Sequence, residues 1–280
     1  MTSQTSEPIR TSEAPVTGDT TGAHTATKVP VPAAREAIPA VLVIQHEADA
    51  GPGLVGDRLV RAGLRLDVVR AWRGEPLPED LHGHAGLLVL GGSVNCRDDD
   101  AAPWLPRVRT LVREAVAGEV PLLGICLGGQ IVADALGGSV VTRARGPELG
   151  ALPLRRLAAA DGDPVLGGVP EGARAAQWHW DEMDRLPAGA VPLLTGDDCP
   201  YQAFRVGPVG WGLQFHPEAE SGTVARWAEA DDAQVRADGG DPAAVVASVR
   251  EADPELRTVW GAVSGAWGAI VHAHAAARAA

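Results

Sequence analysis

One short stretch, Gly124-Ile125-Cys126-Leu127-Gly128-Gly129-Gln130, restricts the fold of this chain more than any other. It follows an apolar run, Val120-Pro121-Leu122-Leu123, that reads as a buried strand, and it opens the helix-like run Ile131-Val132-Ala133-Asp134-Ala135-Leu136. A strand that turns directly into a helix around a cysteine set between glycines is a nucleophile elbow with sulfur in place of oxygen. The turn is too sharp for side chains at Gly124 and Gly128, and Cys126 projects from its apex. The first turn of the helix offers unpaired N–H groups and a partial positive charge, which favour a thiolate over a thiol.

Apolar runs alternate with amphipathic segments on either side of this elbow, the rhythm of a parallel sheet wrapped by helices. Strands are expected at Val41–Ile44, Leu66–Val69, Gly86–Leu90 and Leu122–Ile125, and helices at Gly53–Ala62 and Leu105–Ala117. In the second helix the apolar positions 105, 108, 111, 112 and 115 follow helical spacing. After Gly137-Gly138 the pattern changes to short β segments: Val140–Thr142, Leu149–Leu154, Ala175–Trp178, Val191–Leu194, Tyr201–Val206 and Val209–Phe215. Helical patterns return at Val224–Ala230, Ala243–Ala252 and Leu256–Ala275, with the acidic stretch Glu229–Asp241 expected as a solvated linker. The fold class is therefore α/β, a doubly wound, mostly parallel sheet with flanking helices. Residues 1–38 are rich in Thr, Ser, Pro, Ala and Glu without apolar periodicity and read as a disordered tail, leaving 39–280 as one domain.

The net charge of −12 argues against a nucleic-acid or anionic-membrane surface. Three cysteines, Cys96, Cys126 and Cys199, are few and odd in number, as in a reducing compartment. Neither a signal-peptide pattern nor an apolar run of membrane length occurs, so the cytoplasm is the expected location. No metal is expected: His82/His84 and His272/His274 lack partners at metal spacing, and Asp98-Asp99-Asp100 reads as an acidic loop preceding a helix. With no glycine fingerprint for a nucleotide, no cofactor is expected either.

A cysteine that cleaves an amide needs a base, a partner that orients the base, and donors for the tetrahedral oxyanion. Leu213-Gln214-Phe215-His216-Pro217-Glu218 supplies the first two. On an extended segment, His216 and Glu218 point to the same face, so the carboxylate can steer the imidazole toward sulfur. Gly91-Gly92-Ser93, directly after a strand, and the Leu127 N–H are placed to supply the donors, since open sheets gather their sites at the carboxyl ends of neighbouring strands.

Gly-Ile-Cys-Leu-Gly-Gly-Gln together with Gln-Phe-His-Pro-Glu resembles the class I (triad) glutamine amidotransferases, in particular stand-alone members similar to the glutaminase domain of GMP synthase. Leu90-Gly91-Gly92-Ser93-Val94-Asn95, Asp99-Asp100, Pro103-Trp104-Leu105, Gln177-Trp178-His179-Trp180-Asp181 and Cys199-Pro200-Tyr201-Gln202-Ala203-Phe204 extend the likeness over roughly residues 40 to 220. The resemblance implies a flavodoxin-like fold, Cys126 as nucleophile, His216 as base and Glu218 as its orienter. It also implies Gly92 and Leu127 as oxyanion donors, and Gln130 and His179 near the substrate. Ser93 stands where many members carry proline, which leaves the oxyanion loop freer than theirs. The implied reaction is hydrolysis of the glutamine side-chain amide through a γ-glutamyl thioester, with ammonia released to a separate synthetase. The alternatives are a γ-glutamyl hydrolase acting on a glutamylated amine and a non-catalytic module of the same fold.

Overall fold

The structure, a computed structural model, describes residues 38–280. Apart from Ile38, the stretch expected to be a disordered tail lies outside the described residues. Strand β1 (Ala40–Gln45) leads through helix α1 (Gly53–Arg61) to β2 (Arg65–Arg70) and then β3 (Gly86–Val89). Helix α2 (Leu105–Ala117) returns to β4 (Leu122–Ile125), from which α3 (Leu127–Ala135) departs. Short strands follow: β5 (Ser139–Thr142), β6 (Glu148–Pro153), β7 (Arg155–Arg156), β8 (Arg174–His179), β9 (Asp181–Arg185), β10 (Val191–Thr195), β11 (Ala203–Val206) and β12 (Gly210–Leu213). Helices α4 (Ser221–Ala230), α5 (Asp232–Ala237) and α6 (Pro242–Ala279) close the domain.

The main sheet runs β2-β1-β3-β4-β12-β11-β10-β7. Its first five strands are parallel and the remainder antiparallel. Two small antiparallel ribbons, β5–β9 and β6–β8, stand beside it. Every residue of β1, β3 and β4 is buried, as expected where helices cover both faces of a parallel sheet. Alternation along those strands splits the core in two. Val41, Val43, Leu88, Leu90, Leu123 and Ile125 join the cluster packed by α1, α4 and α6. Leu42, Ile44, Leu87, Val89 and Leu122 join the cluster packed by α2 and α3.

Three expectations need correction. The acidic stretch 229–241 is not simply linker: Asp232–Ala237 is helical, with Val235 fully buried and Arg236 paired to Asp232 one turn back at 2.9 Å. The two C-terminal helical patterns are one helix, capped by Asp241 accepting from Ala243 N–H with Pro242 in its first turn. Pro254 lies inside it. Buried Val249, Ala252, Leu256 and Trp260 flank that proline, and their packing holds the helix together where local propensity would break it. Finally, the histidine strand ends at Leu213, so Gln214 to Glu218 leave the sheet as bends and a turn.

Candidate active site

Three adjacent strands deliver the site. β3 leads into Gly91-Gly92, β4 into Cys126 and β12 into the segment carrying His216, and the Cys126 N–H donates to Leu213 O across the β4–β12 pair at 2.8 Å. Cys126 holds φ 50° and ψ −109°, a conformation that L-residues other than glycine rarely adopt. The surrounding glycines permit it. A Cβ at Gly124 would meet Gly128 O at 2.5 Å, one at Gly128 would meet Val89 O at 2.1 Å, and one at Gly129 would meet Leu213 O at 2.4 Å. The amino end of α3 is thus pressed onto the ends of β3 and β12, with the thiol at the junction.

His216 Nδ1 lies 2.7 Å from Glu218 Oε1, and both side chains are buried. The contact is made through a turn, closed by the Ala219 N–H on His216 O at 3.3 Å, and not by alternation along a strand. Nε2 has no other partner and is left to the Cys126 thiol. Burial works to neutralise the ring, yet the Glu218 carboxylate and the sulfur overcome it and hold the imidazole protonated well above its usual range. Trp227 of α4 packs on the ring with centroids 4.7 Å apart. The sequence contains no signal for that contact, because α4 reaches the site only through the tertiary fold.

Leu127 opens α3, so its N–H has no acceptor within the helix, and the Gly92 N–H has none among the described residues. A side chain on Gly91 would come within 3.0 Å of His216 Cε1, and one on Gly92 within 2.9 Å of His46 Cβ. Ser93 is not loose, as its departure from proline suggested. Its N–H and Oγ both donate to Glu47 Oε2, at 3.1 and 2.7 Å. Gln45, at the end of β1, in turn donates to Glu47 O at 2.7 Å.

Gln130 is buried on α3, where its amide donates to Asp181 O at 3.2 Å and approaches Gln214 Oε1 at 3.3 Å. Gln214 Nε2 lies 3.9 Å from Cys126 Sγ. His179 lines the same cavity, but both ring nitrogens are engaged, with Asp181 O at 2.9 Å and Glu148 Oε2 at 3.0 Å. The cavity holds about 560 Å³ and brings together Gly92, Cys126, Gln130, His179 and His216. Glu218 and Leu127 are not among its lining residues.

The other candidates lie elsewhere. Cys96 and Cys199 are buried, and burial raises the Cys96 thiol to about 12 and the Cys199 thiol further still. Asp99 pairs with Arg109 at 2.6 Å, His84 with Asp67 at 3.2 Å, and His272 with Ala62 O at 2.9 Å. Glu148, His179 and Cys199 approach within 4.8 Å of one another, a grouping that no spacing announces. The Arg143 guanidinium, 3.8 Å from the Glu148 carboxylate, and the Gln202 amide at 2.7 Å already serve that carboxylate, and the guanidinium opposes a cation there.

A cysteine elbow with a histidine–carboxylate pair at the carboxyl edge of a doubly wound sheet defines the class of α/β protein to which the chain is compared. The profile of the family "Glutamine amidotransferase class-I" matches residues 54–228, and the chain belongs to that family. It is 36% identical over 151 residues to a glutamine-hydrolysing GMP synthase of Porphyromonas gingivalis, covering 52% of this chain and 28% of that protein. To a glutamine-hydrolysing GMP synthase subunit of Methanopyrus kandleri it is 33% identical over 143 residues, covering 50% of this chain and 71% of the relative. A glutamine amidotransferase of Methylobacillus flagellatus superposes with a TM-score of 0.74 at 29% identity, over 82% of this chain and 94% of that one. The chain thus spans little more than a quarter of the full-length GMP synthase that it matches. No helix among the described residues is long and apolar enough to cross a membrane.

Proposed function

We propose that the chain hydrolyses the side-chain amide of glutamine with Cys126 as nucleophile, His216 as base and acid, and Glu218 as orienter. The observation that supports this most directly is the buried His216, with Nδ1 on Glu218 and Nε2 left to a strained elbow cysteine. With the proton already held on His216, Sγ attacks the amide carbon. The Gly92 and Leu127 N–H groups receive the developing oxyanion. The imidazolium then protonates the departing nitrogen, and ammonia leaves. Water, giving a proton to His216, opens the γ-glutamyl thioester and releases glutamate.

Gln130 sits beside the cysteine with its amide turned to Asp181 and Gln214, so in this scheme it shapes the floor on which the amino-acid end of glutamine rests. His179 holds the Asp181 carbonyl from behind. Ammonia passes to a separate synthetase; the Methanopyrus relative, itself named as one subunit of a synthase, supports that division of labour. Three free, buried cysteines agree with a cytoplasmic setting. The proposal is tested by glutamate release. Cys126→Ala is expected to abolish it while the chain stays folded, and a glutamine analogue bearing a diazoketone is expected to label Cys126 and spare Cys96 and Cys199. Label found mainly on either of those two removes Cys126 as nucleophile.

A further inference from the structure

The cavity over Cys126 carries more negative charge than glutamine uses. Glu47, Asp49, Asp181 and Asp231 line it, and no arginine or lysine does. None of the four forms an ion pair among the described residues. Glu47 accepts from Ser93, Asp181 from Asn95 and Thr142, and Asp231 from Trp178, all neutral donors. Glutamine is neutral overall and brings a single ammonium.

The aromatic wall of the cavity has a direction. It begins at the catalytic imidazole, against which Trp227 packs, continues to Trp178 at 6.1 Å, and ends at Trp180, edge-on to Trp178 at 6.0 Å. His216 lines the same cavity, with its buried Nε2 left to the Cys126 thiol. That nitrogen must meet the leaving group, so a substituent on the departing nitrogen would run along the indoles. Asp231 Oδ2 is fixed midway along them by the Trp178 Nε1–H at 3.0 Å. Beyond it, Asp238 accepts from Trp180 Nε1–H at 2.6 Å. Indole faces beside carboxylates suit an alkylammonium, which gains cation–π attraction and charge pairing together.

We infer that this wall is a subsite for a cationic amine, so that the chain cleaves γ-glutamyl amides of diamines or polyamines as well as glutamine. The inference rests on the Cys126–His216 chemistry proposed above and adds the leaving-group side. Sγ bonds to the γ-carbonyl carbon, the C–N bond breaks, and His216 gives its proton to the amine, which departs with its distal ammonium still charged. Water adds to the thioester and returns a proton to His216, the C–S bond breaks, and glutamate leaves. No other reactant is required.

The test compares the full chain on glutamine and on three γ-glutamyl amides of matched length: those of 1,4-diaminobutane, butylamine and 4-aminobutyrate. The cationic amide is expected to exceed the neutral one about tenfold in kcat/KM, the size of one desolvated cation–π or ion-pair contact. The anionic amide is expected to fall below both. Asp231→Asn should bring the cationic-to-neutral ratio close to one. A second readout is independent of turnover: calorimetric binding of 1,4-diaminobutane and butylamine to the Cys126→Ala chain, where the diamine is expected to bind more tightly and to lose that advantage with Asp231→Asn. Glutamine turnover without preference for the cationic amide, or equal binding of the two amines, overturns the subsite and leaves the glutaminase proposal standing. Selective diamine binding with no amide cleaved at all keeps the subsite, overturns cleavage of the amine conjugates, and refutes the triad chemistry.

Discussion

At the scale of single residues, His216 is set by two opposing forces. Burial favours the neutral ring, while the Glu218 carboxylate and the Cys126 sulfur favour the cation and prevail. In the proposed mechanism the imidazolium that protonates the departing nitrogen is therefore lost only as pH rises through the raised pKa. Glu218→Gln removes the larger of the raising influences, leaving burial to dominate. The alkaline limb of kcat/KM should move to lower pH in that variant, and a limb that stays in place or moves up would exclude Glu218 as the group that holds the charge. Ser93 gives a second prediction. Its N–H donates to Glu47, and proline has no such donor, so Ser93→Pro should cost about tenfold or more in kcat through displacement of the Gly92 loop, with little change in KM. Glu47→Gln, which keeps an acceptor oxygen, should lose less. These two residues also mark a limit of sequence reading. Cys126 and its glycines are legible because the motif encodes a local steric requirement, whereas Glu47 and Ser93 meet only because β1 and β3 are neighbours in the sheet.

At the scale of elements, the position of α3 governs the site. Its amino end approaches two strands so closely that backbone carbonyls occupy the space where side chains would begin. Gly128→Ala places a methyl 2.1 Å from Val89 O, and a rigid carbonyl cannot step aside as a flexible side chain does. The expected loss is about 1–3 kcal/mol or more of stability, read from the urea midpoint, together with loss of turnover. Gly222→Ala at an exposed position of α4, where nothing lies within 4 Å of the added carbon, should be neutral or gain up to about 1 kcal/mol. Equal effects at the two positions would show that helical propensity, not crowding, decides. Periodicity found β1, β3, β4 and α2 because each buries a complete face. It failed at α5 and at Pro254, where Val235 and Trp260 are buried by distant partners that override a local signal for linker or break.

At the scale of the whole molecule, the site is assembled from segments far apart in sequence: the ends of β1, β3, β4 and β12, the β8–β9 corner and the α4–α5 junction. The first four were legible as strands from their apolar runs. Trp227 and Asp231 were not, because the closing helices are placed by the packing of α6 against α1 and α4. The backbone of Cys126 has a further consequence for the molecule as a whole. A residue at φ 50°, ψ −109° is held there against its own preference by everything packed around it, at a cost of about 1–3 kcal/mol to global folding. Glycine carries no such penalty, while alanine keeps it. Replacing the cysteine should therefore separate two quantities that usually change together: Cys126→Gly and Cys126→Ala should be equally inert, yet the glycine variant should melt higher, the reverse of the order found at ordinary positions. A lower melting temperature for glycine would mean that the elbow is relaxed. If the order is as expected, the native chain is less stable than its glycine variant, and selection for durability alone would tend to remove the cysteine.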